Sequence, residues 1–104
     1  MTVIEEVISA LDDPTRRTLL EHLAARGSAS ATALAGELPI SRQAVVQHLA
    51  VLDRAGLVSG NRRGRERLFT VRTAGMIETA KWLTDLAAEW DRRLATIKRI
   101  AEAP

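Results

Sequence analysis

The sequence predicts a mainly α-helical domain with one small β-hairpin, whose elements follow in the order α-α-α-α-β-β-α. Three observations predict this fold class. Apolar residues recur at helical spacing in five stretches. Side chains that can cap a helix stand at four of the predicted starts, namely Asp13, Ser30, Ser41 and Thr73. Two short runs, 57–59 and 68–71, read as strands on either side of a Gly-rich segment. The chain of 104 residues is long enough for a single domain over 1–104 with one modest core.

The first helix is predicted over 3–11 and must bury one apolar side against its own domain or against a partner. That side consists of Val3, Ile4, Val7, Ile8 and Leu11. Asp13 is the expected N-cap of the second helix, with Pro14 at the first helical position, where its missing amide costs nothing. The apolar face of this second helix is Leu19, Leu20 and Leu23. Gly27 is expected to end it.

A helix-turn-helix pattern follows. Residues 28–30 are predicted to form a polar loop, and Ser30 to cap a third, short helix. That helix is expected to break at Leu38, because the residue before Pro39 disfavours the helical region. A fourth helix then begins at Ser41, so that a short helix, a tight connection and a second helix succeed one another.

The fourth helix, predicted over 41–55, has two faces of different chemistry. Its buried stripe is Val45, Leu49 and Leu52. Ile40 is spaced to pack on Val45 as a hydrophobic staple, and Gly56 is expected to end the helix in the left-handed conformation. The other face carries Arg42, Gln43, Val46, Gln47 and Ala50, with no acidic residue among them. A short helix with such a face is typical of insertion into the major groove of DNA.

The hairpin is predicted to turn over 60–65, where two glycines and an asparagine can adopt positive φ angles. Its tip and returning strand carry four arginines, Arg62, Arg63, Arg65 and Arg67. A run of charge is often only a solvated surface, and this alternative stays open. Directly after a helix of this kind, the four arginines favour a DNA-binding wing whose side chains reach phosphates or the minor groove.

A last, long helix is predicted over 74–102, with Thr73 as its cap. Its apolar positions alternate spacings of four and three residues and are Met76, Ala80, Leu83, Ala87, Trp90, Leu94, Ile97 and Ala101. At 1.5 Å rise per residue this helix is about 43 Å long, which is more than a domain of this size covers. Part of the stripe is therefore expected to meet a second subunit. The alternative is that the helix packs only on its own core.

Charge is distributed unevenly along the chain. Residues 1–39 carry three basic and six acidic residues, residues 40–73 carry seven arginines and two acids, and residues 74–104 are balanced. The positive excess lies on the fourth helix and the hairpin, which indicates a polyanionic partner. The absence of cysteine excludes disulfides and thiolate metal sites. With no apolar run of transmembrane length and an acidic N-terminus that does not suit a signal peptide, we expect a soluble, cytoplasmic protein without membrane contact.

Two stretches resemble the ArsR/SmtB-type winged-helix repressors. They are Leu11-Asp12-Asp13-Pro14-Thr15-Arg16-Arg17, and Ile40-Ser41-Arg42-Gln43-Ala44-Val45-Val46-Gln47-His48-Leu49 followed by Leu52 and Ala55-Gly56-Leu57-Val58. The resemblance covers about residues 8–72 by motif and the flanking helices by length. It implies a homodimeric transcriptional repressor that pairs through its first and last helices and binds an inverted-repeat operator in double-stranded DNA. Autoregulation is one use of such an operator.

The chain departs from the family pattern in the residues that sense metals. Many members hold a metal through Cys-x-Cys on the helix before the recognition helix, or through Asp, His and Glu pairs on the last helix. Here residues 34–38 offer no such ligands, the last helix has no histidine, and neither His22 nor His48 has a partner at metal-binding spacing. The sequence therefore resembles the branch that does not sense metals. No cofactor is expected, and an effector would be a small molecule of unknown identity.

The resemblance and the residue types together assign candidate roles. The candidate recognition residues are Ser41, Arg42, Gln43, Val46 and Gln47. Glutamines in the first turns can reach adenine N6 and N7, Val46 can meet a thymine methyl, and Arg42 is expected to clamp a phosphate rather than read guanine. Candidate contacts to the DNA backbone are Thr32, His48, Arg62, Arg63, Arg65 and Arg67. For both Ser41 and His48, a purely structural role is the alternative; that of Ser41 is to cap the helix.

The candidate dimer interface lies on the first and last helices. Its residues are Val3, Ile4, Val7, Ile8, Leu83, Ala87, Trp90, Leu94 and Ile97. Trp82 and Trp90 either line an apolar effector pocket at this seam or simply fill it.

Three classes of function compete for this sequence. A sequence-specific DNA-binding regulator fits the helix-turn-helix, the arginine-rich hairpin and the charge distribution. The alternative is a winged-helix module whose long helix binds another protein, without a specific operator. An enzyme is disfavoured, because the sequence offers no nucleophile–His–acid set, phosphate loop or metal constellation.

Overall fold

A computed structural model describes residues 2–103, which form five helices and one hairpin in the predicted order. The elements are α1 (Val3–Leu11), α2 (Pro14–Arg26), α3 (Ala31–Ala35), α4 (Arg42–Arg54), β1 (Val58–Arg63), β2 (Glu66–Val71) and α5 (Ala74–Glu102). Helices α2, α3 and α4 pack on one another and on the hairpin, and α1 packs between α2 and the start of α5. The predicted fold class, a winged helix-turn-helix, is confirmed.

Side-chain caps set most of the helix starts. The side chains of Asp13, Ser30 and Ser41 each accept from a backbone amide two or three residues further on, as predicted. The prediction for Thr73 is wrong, because this residue already has nearly helical angles (φ −101°, ψ −13°) and makes no side-chain cap hydrogen bond. A capping box at Thr2 was not predicted: the Thr2 hydroxyl accepts from the amide of Glu5, and the amide of Thr2 donates to the Glu5 carboxylate.

The Asp-Pro-Thr-Arg segment joins α1 to α2. Asp13 Oδ1 accepts from the amides of Thr15 (2.7 Å) and Arg16 (3.2 Å). The guanidinium groups of Arg16 and Arg17 donate to the last carbonyls of α1, at 2.6 Å and 2.5 Å. The Asp13 side chain therefore caps the start of α2, while the two arginines cap the end of α1, whose terminal carbonyls have no donor within the helix.

The core lies between α2, α3, α4 and the base of the hairpin. Its largest fully buried side chains are Leu19, Leu23, Leu34, Leu49, Leu52, Leu57, Val7, Val45 and Val58. The predicted stripe of α4 is thus confirmed as core, and Ile40 packs against it from the turn that precedes the helix. This packing leaves the opposite face of α4 exposed.

Val7 belongs to the core of its own chain, so its prediction as a dimer-interface residue is wrong. It is 1% exposed and lies against Gly75 in the first turn of α5, where a Cβ would come 3.1 Å from Val7 Cγ2. The missing side chain at Gly75 lets α1 and α5 approach closely enough to cover Val7. Val3 (44%) and Ile8 (47%) remain exposed, and Ile4 is half-buried.

The hairpin is longer and its turn tighter than predicted. The strands pair antiparallel from Val58↔Val71 to Arg63↔Glu66, so the connection is only Gly64-Arg65 rather than 60–65. Gly64 has φ +60° at the first turn position and no non-glycine residue among those described has a positive φ, which is the pattern of a type II′ turn. One glycine therefore suffices, and the backbone of 60–63 stays free to pair.

Two other boundaries differ from the prediction. Ala29 exchanges backbone hydrogen bonds with Phe69 (3.1 and 2.9 Å), so the predicted polar loop 28–30 is instead a one-residue bridge that ties the α2–α3 connection to β2. Helix α3 ends at Ala35 rather than at Leu38, because the chain tightens directly after it: the amide of Glu37 donates to the carbonyl of Leu34, only three residues back (3.0 Å).

Helix α5 projects beyond the domain. Gly75 and Thr79 in its first turns are buried against the domain, whereas all the residues from Ala80 to Ala103 are exposed to solvent. The molecule accordingly measures 73 × 24 × 24 Å. Packing of the whole helix on its own core is excluded by this exposure. None of the helices in 2–103 is both long and apolar enough to cross a membrane.

Gly56→Ala is expected to destabilise the fold by about 1 kcal/mol, the cost of placing an L-residue in the left-handed region. Gly56 has φ +75°, and the amides of Gly56 and Leu57 donate to Asp53 and Leu52 (both 2.9 Å), which is a Schellman motif. No neighbouring atom lies within 4 Å of the place where an alanine Cβ would stand, so the substitution measures backbone strain alone. Urea unfolding at fixed protein concentration measures the change.

Gly36→Ala is the matched control for Gly56→Ala. Gly36 has an ordinary φ of −69°, and its nearest neighbour to an added Cβ is the carbonyl oxygen of Ala33 at 3.4 Å. This replacement is expected to be neutral or slightly stabilising, because it only reduces the freedom of the unfolded chain. Equal losses in both variants would contradict the role given to the Gly56 conformation.

Candidate nucleic-acid interface

The exposed face of α4 is the first part of the candidate interface. Ser41 Oγ accepts from the Ala44 amide (3.1 Å), which fixes the helix start, and the buried stripe fixes its rotation. The face turned to solvent carries Arg42, Gln43, Val46, Gln47 and Ala50, as predicted. Val46 is 42% exposed, a large apolar side chain on an otherwise polar face. Such a side chain suits contact with a thymine methyl group.

Thr32 and Arg42, both predicted to contact the DNA backbone, lie beside each other. Arg42 Nε donates to Thr32 Oγ1 at 3.0 Å, and both side chains are exposed. This bond links the first turn of α4 to α3 and holds the guanidinium at the edge of the recognition face. A guanidinium at the edge of such a face is suited to a phosphate contact, the kind of contact that sets register without reading a base.

His48 lies on a different side of α4 from the recognition residues. It is half-buried and faces the start of α2. Loss of hydration opposes ionisation of the Asp13 carboxyl there, but the amides of Arg16 and Thr15 and the nearby charges of Arg16 and His48 outweigh it and lower the pKa of Asp13. The geometry therefore supports the structural alternative for His48.

The hairpin lies beside α4, and two of its four predicted wing arginines, Arg65 and Arg67, line the groove between them together with Glu66. Arg62 and Arg67 are directly opposite each other, Arg63 faces Glu66, and Arg65 forms the turn. All four arginines are exposed. The groove between the hairpin and the start of α4 is lined by several of the predicted backbone and recognition residues: Thr32, Arg42, Val46, Arg65 and Arg67.

Two residues that contact Arg67 were not identified from the sequence. Asp53, near the end of α4, pairs with Arg67 (3.6 Å), and the ring of Phe69 lies under the same guanidinium, 5.3 Å from its carbon. Helical spacing from Val46 already places Asp53 on the exposed face. That face is therefore not free of acidic residues over its whole length.

A second polar cluster braces the helix-turn-helix from the outside. Glu37, just after α3, accepts from His22 Nδ1 (2.8 Å) and from Arg26, both on α2. These bonds lower the pKa of the Glu37 carboxyl, with the larger effect from His22 and the smaller from Arg26. The spacing of these residues along the chain gave no indication of this cluster, which forms only when α2 and α3 pack together. Within 2–103, no group of three or more His, Asp or Glu side chains is arranged to hold a metal.

Comparison with known proteins gives a consistent result. A family described as a helix-turn-helix domain matches residues 11–60. The HTH-type transcriptional regulator Rv2034 of Mycobacterium tuberculosis is 38% identical over 94 residues, which cover 90% of this chain and 84% of that protein. The transcriptional repressor SdpR of Bacillus subtilis is 28% identical over 91 residues, covering 88% of this chain and 100% of SdpR. A solved ArsR-like transcriptional regulator from Rhodococcus sp. RHA1 has a TM-score of 0.87 and 44% identity, with 98% of this chain and 95% of that chain covered.

These relatives are named as regulators of transcription, not as enzymes, and they match the chain over nearly its whole length. The shared architecture includes the element that carries the exposed recognition face and the arginine-bearing hairpin beside it. The chain belongs to the ArsR-like family of winged helix-turn-helix transcriptional regulators, and DNA is its partner.

Proposed function

We propose that the chain is a homodimeric repressor that binds an inverted-repeat operator, with its own promoter as a candidate target. The observation that carries this proposal is the groove in which the exposed face of α4 meets the basic edge of the hairpin. Repression is supported by the resemblance to SdpR, which is named a transcriptional repressor. A regulator of this kind works where the chromosome lies, so we place it in the cytoplasm.

Recognition is assigned to α4 lying in the major groove. Gln43 and Gln47 would then bond to base edges, and Val46 would pack on a thymine methyl. Arg42 and Thr32 would hold a phosphate where α3 and α4 meet. The arginines at the hairpin tip, Arg62, Arg63 and Arg65, would contact the neighbouring DNA backbone. Such contacts contribute affinity and fix the register of the protein on DNA but do not read the base sequence.

Dimerisation is assigned to the exposed part of α5, together with Val3, Ile4 and Ile8 of α1. Seven large apolar side chains between 82 and 100 are at least 43% exposed: Trp82, Leu83, Leu86, Trp90, Leu94, Ile97 and Ile100. Most of them continue the helix face that α1 covers at Gly75 and Thr79. A contiguous apolar patch of this size is typical of a protein interface. Both tryptophans lie at this seam, where they fill it or line an effector pocket.

DNA footprinting on the region upstream of its own gene tests the proposal. A dimer should protect two half-sites related by a dyad, with centres about 34–36 Å apart or a multiple of that distance. Selection from random or genomic DNA extends the test to operators elsewhere. If neither experiment yields a sequence motif, the proposed operator binding is wrong and the protein-interaction alternative gains support.

Gln43→Ala combined with Gln47→Ala is expected to reduce operator affinity while leaving affinity for random DNA unchanged. Each bidentate glutamine–adenine contact is worth about 1–3 kcal/mol of discrimination. Fluorescence anisotropy with operator and scrambled duplexes measures both affinities. Thr84→Ala, which replaces an uncharged polar side chain exposed on α5, is the control and should change neither. A parallel loss on both duplexes would show that the glutamines do not read sequence.

A further inference from the structure

Arg67 differs from the other hairpin arginines in being attached to the rest of the molecule. Its Nη2 lies 3.6 Å from Asp53 Oδ2 of α4, and its guanidinium carbon lies 5.3 Å from the centre of the Phe69 ring. The ring belongs to a half-buried residue whose backbone is bonded to Ala29. Within 2–103, none of the other hairpin arginines forms an ion pair.

Gly60 leaves room for this arrangement. It lies opposite Phe69 in the strand register, and a Cβ there would overlap Arg67 Nε and come 3.0 Å from both Cζ and Nη2. Its φ is not among the positive values, so the backbone conformation itself does not require glycine. The glycine instead provides the path along which the guanidinium crosses from β2 towards α4.

Asp53 explains why an arginine is needed at this place. It is the one acidic residue of α4, and it lies on the exposed face that would approach DNA. An unpaired carboxylate there would repel phosphates, since like charges in proximity are unfavourable. Paired with Arg67, the carboxylate is neutralised, and the same pair connects the recognition helix to the hairpin.

We propose that Arg67 is a positioning residue, not a phosphate contact. In what we call the wing latch (Arg67, Asp53, Phe69 and Gly60), the guanidinium fixes the angle of the hairpin to α4 and neutralises Asp53. Each contact is individually weak at an exposed site, but together they restrain one planar group from two directions. The inference rests on the proposed function for its role in DNA binding, whereas the latch itself is a property of the free protein.

Hydrogen exchange of the DNA-free protein tests the latch. Gly60→Ala keeps every charge and displaces only the flexible end of Arg67, so the fold is retained. Both this variant and Arg67→Ala are expected to accelerate exchange of the hairpin amides about five- to tenfold, because the hairpin opens more often. Asn61→Ala, the adjacent residue on the opposite face, is the control and should exchange like the wild type. Unchanged exchange in both latch variants would overturn the proposal.

DNA binding then separates positioning from phosphate contact. Arg67→Ala combined with Asp53→Ala leaves the net charge unchanged, and we expect this double variant and Gly60→Ala to bind the operator about five- to tenfold more weakly with an unaltered salt dependence. A lost phosphate contact would instead lower the slope of log affinity against log salt by about 0.9 per contact, with Arg65→Ala as the reference. A lowered slope in the double variant, together with wild-type operator affinity in Gly60→Ala, would overturn the proposal. A wild-type protein that binds no operator would refute the proposed function while the exchange result still decides the latch.

Discussion

Replacing Arg62, Arg63 and Arg65 together by alanine is expected to weaken binding to operator and random DNA alike and to flatten the salt dependence of both. Each phosphate contact contributes about 0.9 to the slope of log affinity against log salt, so three contacts in each subunit of a dimer account for about 5. All three side chains are exposed and unattached to α4 in the described structure. The hairpin should persist, because its turn depends on Gly64 and its strands on backbone bonds. Anisotropy titrations at several salt concentrations give the slope.

The control for this variant removes the same charge from another part of the chain. Arg92, Lys98 and Arg99 are exposed on the projecting part of α5 and, when replaced by alanine, lower the net charge by the same amount. Their loss should leave the salt dependence near that of the wild type. If both triple variants flatten the slope equally, binding depends on overall charge and the assignment of the hairpin as a DNA-binding wing is wrong.

Most of the helix boundaries were predictable, because local chemistry determines them; the end of α3 is the exception. The starts of α2, α3 and α4 follow from capping side chains, and Gly56 ends α4 through hydrogen bonds to residues close to it in the chain. The apolar periodicity of α5 gave its bounds, 74–102, even though its assumed cap at Thr73 does not form. A long amphipathic helix needs no particular cap, since each added residue contributes its own hydrogen bond.

What the sequence did not reveal depends on contacts between distant segments. The pairing of Ala29 with β2 and the extension of β1 to Arg63 arise from strand pairing, which residue type specifies only weakly. Its residue type indicates a turn position for Gly60, whereas the space that it leaves for Arg67 exists only in the folded hairpin. Val7 illustrates another limit: an apolar stripe indicates burial but does not say whether its own chain or a partner covers it.

The candidate site likewise contains features that local sequence determines and features that depend on contacts between distant segments. The exposed face of α4 followed directly from helical spacing, because each of its side chains needs only the helix and a buried opposite side. The cluster of His22, Arg26 and Glu37 and the pair of Asp53 and Arg67 join different elements, so their spacing in the sequence carries no regular pattern. Residues that reach outward are therefore easier to predict than residues that hold elements in place.

Leu94→Glu is expected to convert the proposed dimer into monomers and to lower operator affinity by about 10²–10⁴-fold, the gain that linking two binding heads provides. Leu94 is 48% exposed, on the part of α5 that its own domain does not cover. The domain core should therefore stay folded, while the seam would receive an unpaired carboxylate from each subunit, which is costly to bury. Light scattering gives the mass, anisotropy the affinity, and fluorescence of the nearby Trp90 should shift to longer wavelength as the seam opens.

Ala88→Glu is the matched control, since it adds the same charge to the opposite, solvent-facing side of α5. It should remain dimeric and bind the operator like the wild type. A Leu94→Glu protein that stays dimeric would show that the subunits pair elsewhere, and a monomeric variant with full operator affinity would show that one recognition helix suffices. Loss of dimer and operator binding in Leu94→Glu but not in Ala88→Glu would connect the exposed stripe to DNA recognition through geometry. Two copies of α4 can fit successive major grooves on one face of a duplex only if the seam holds them at a fixed separation.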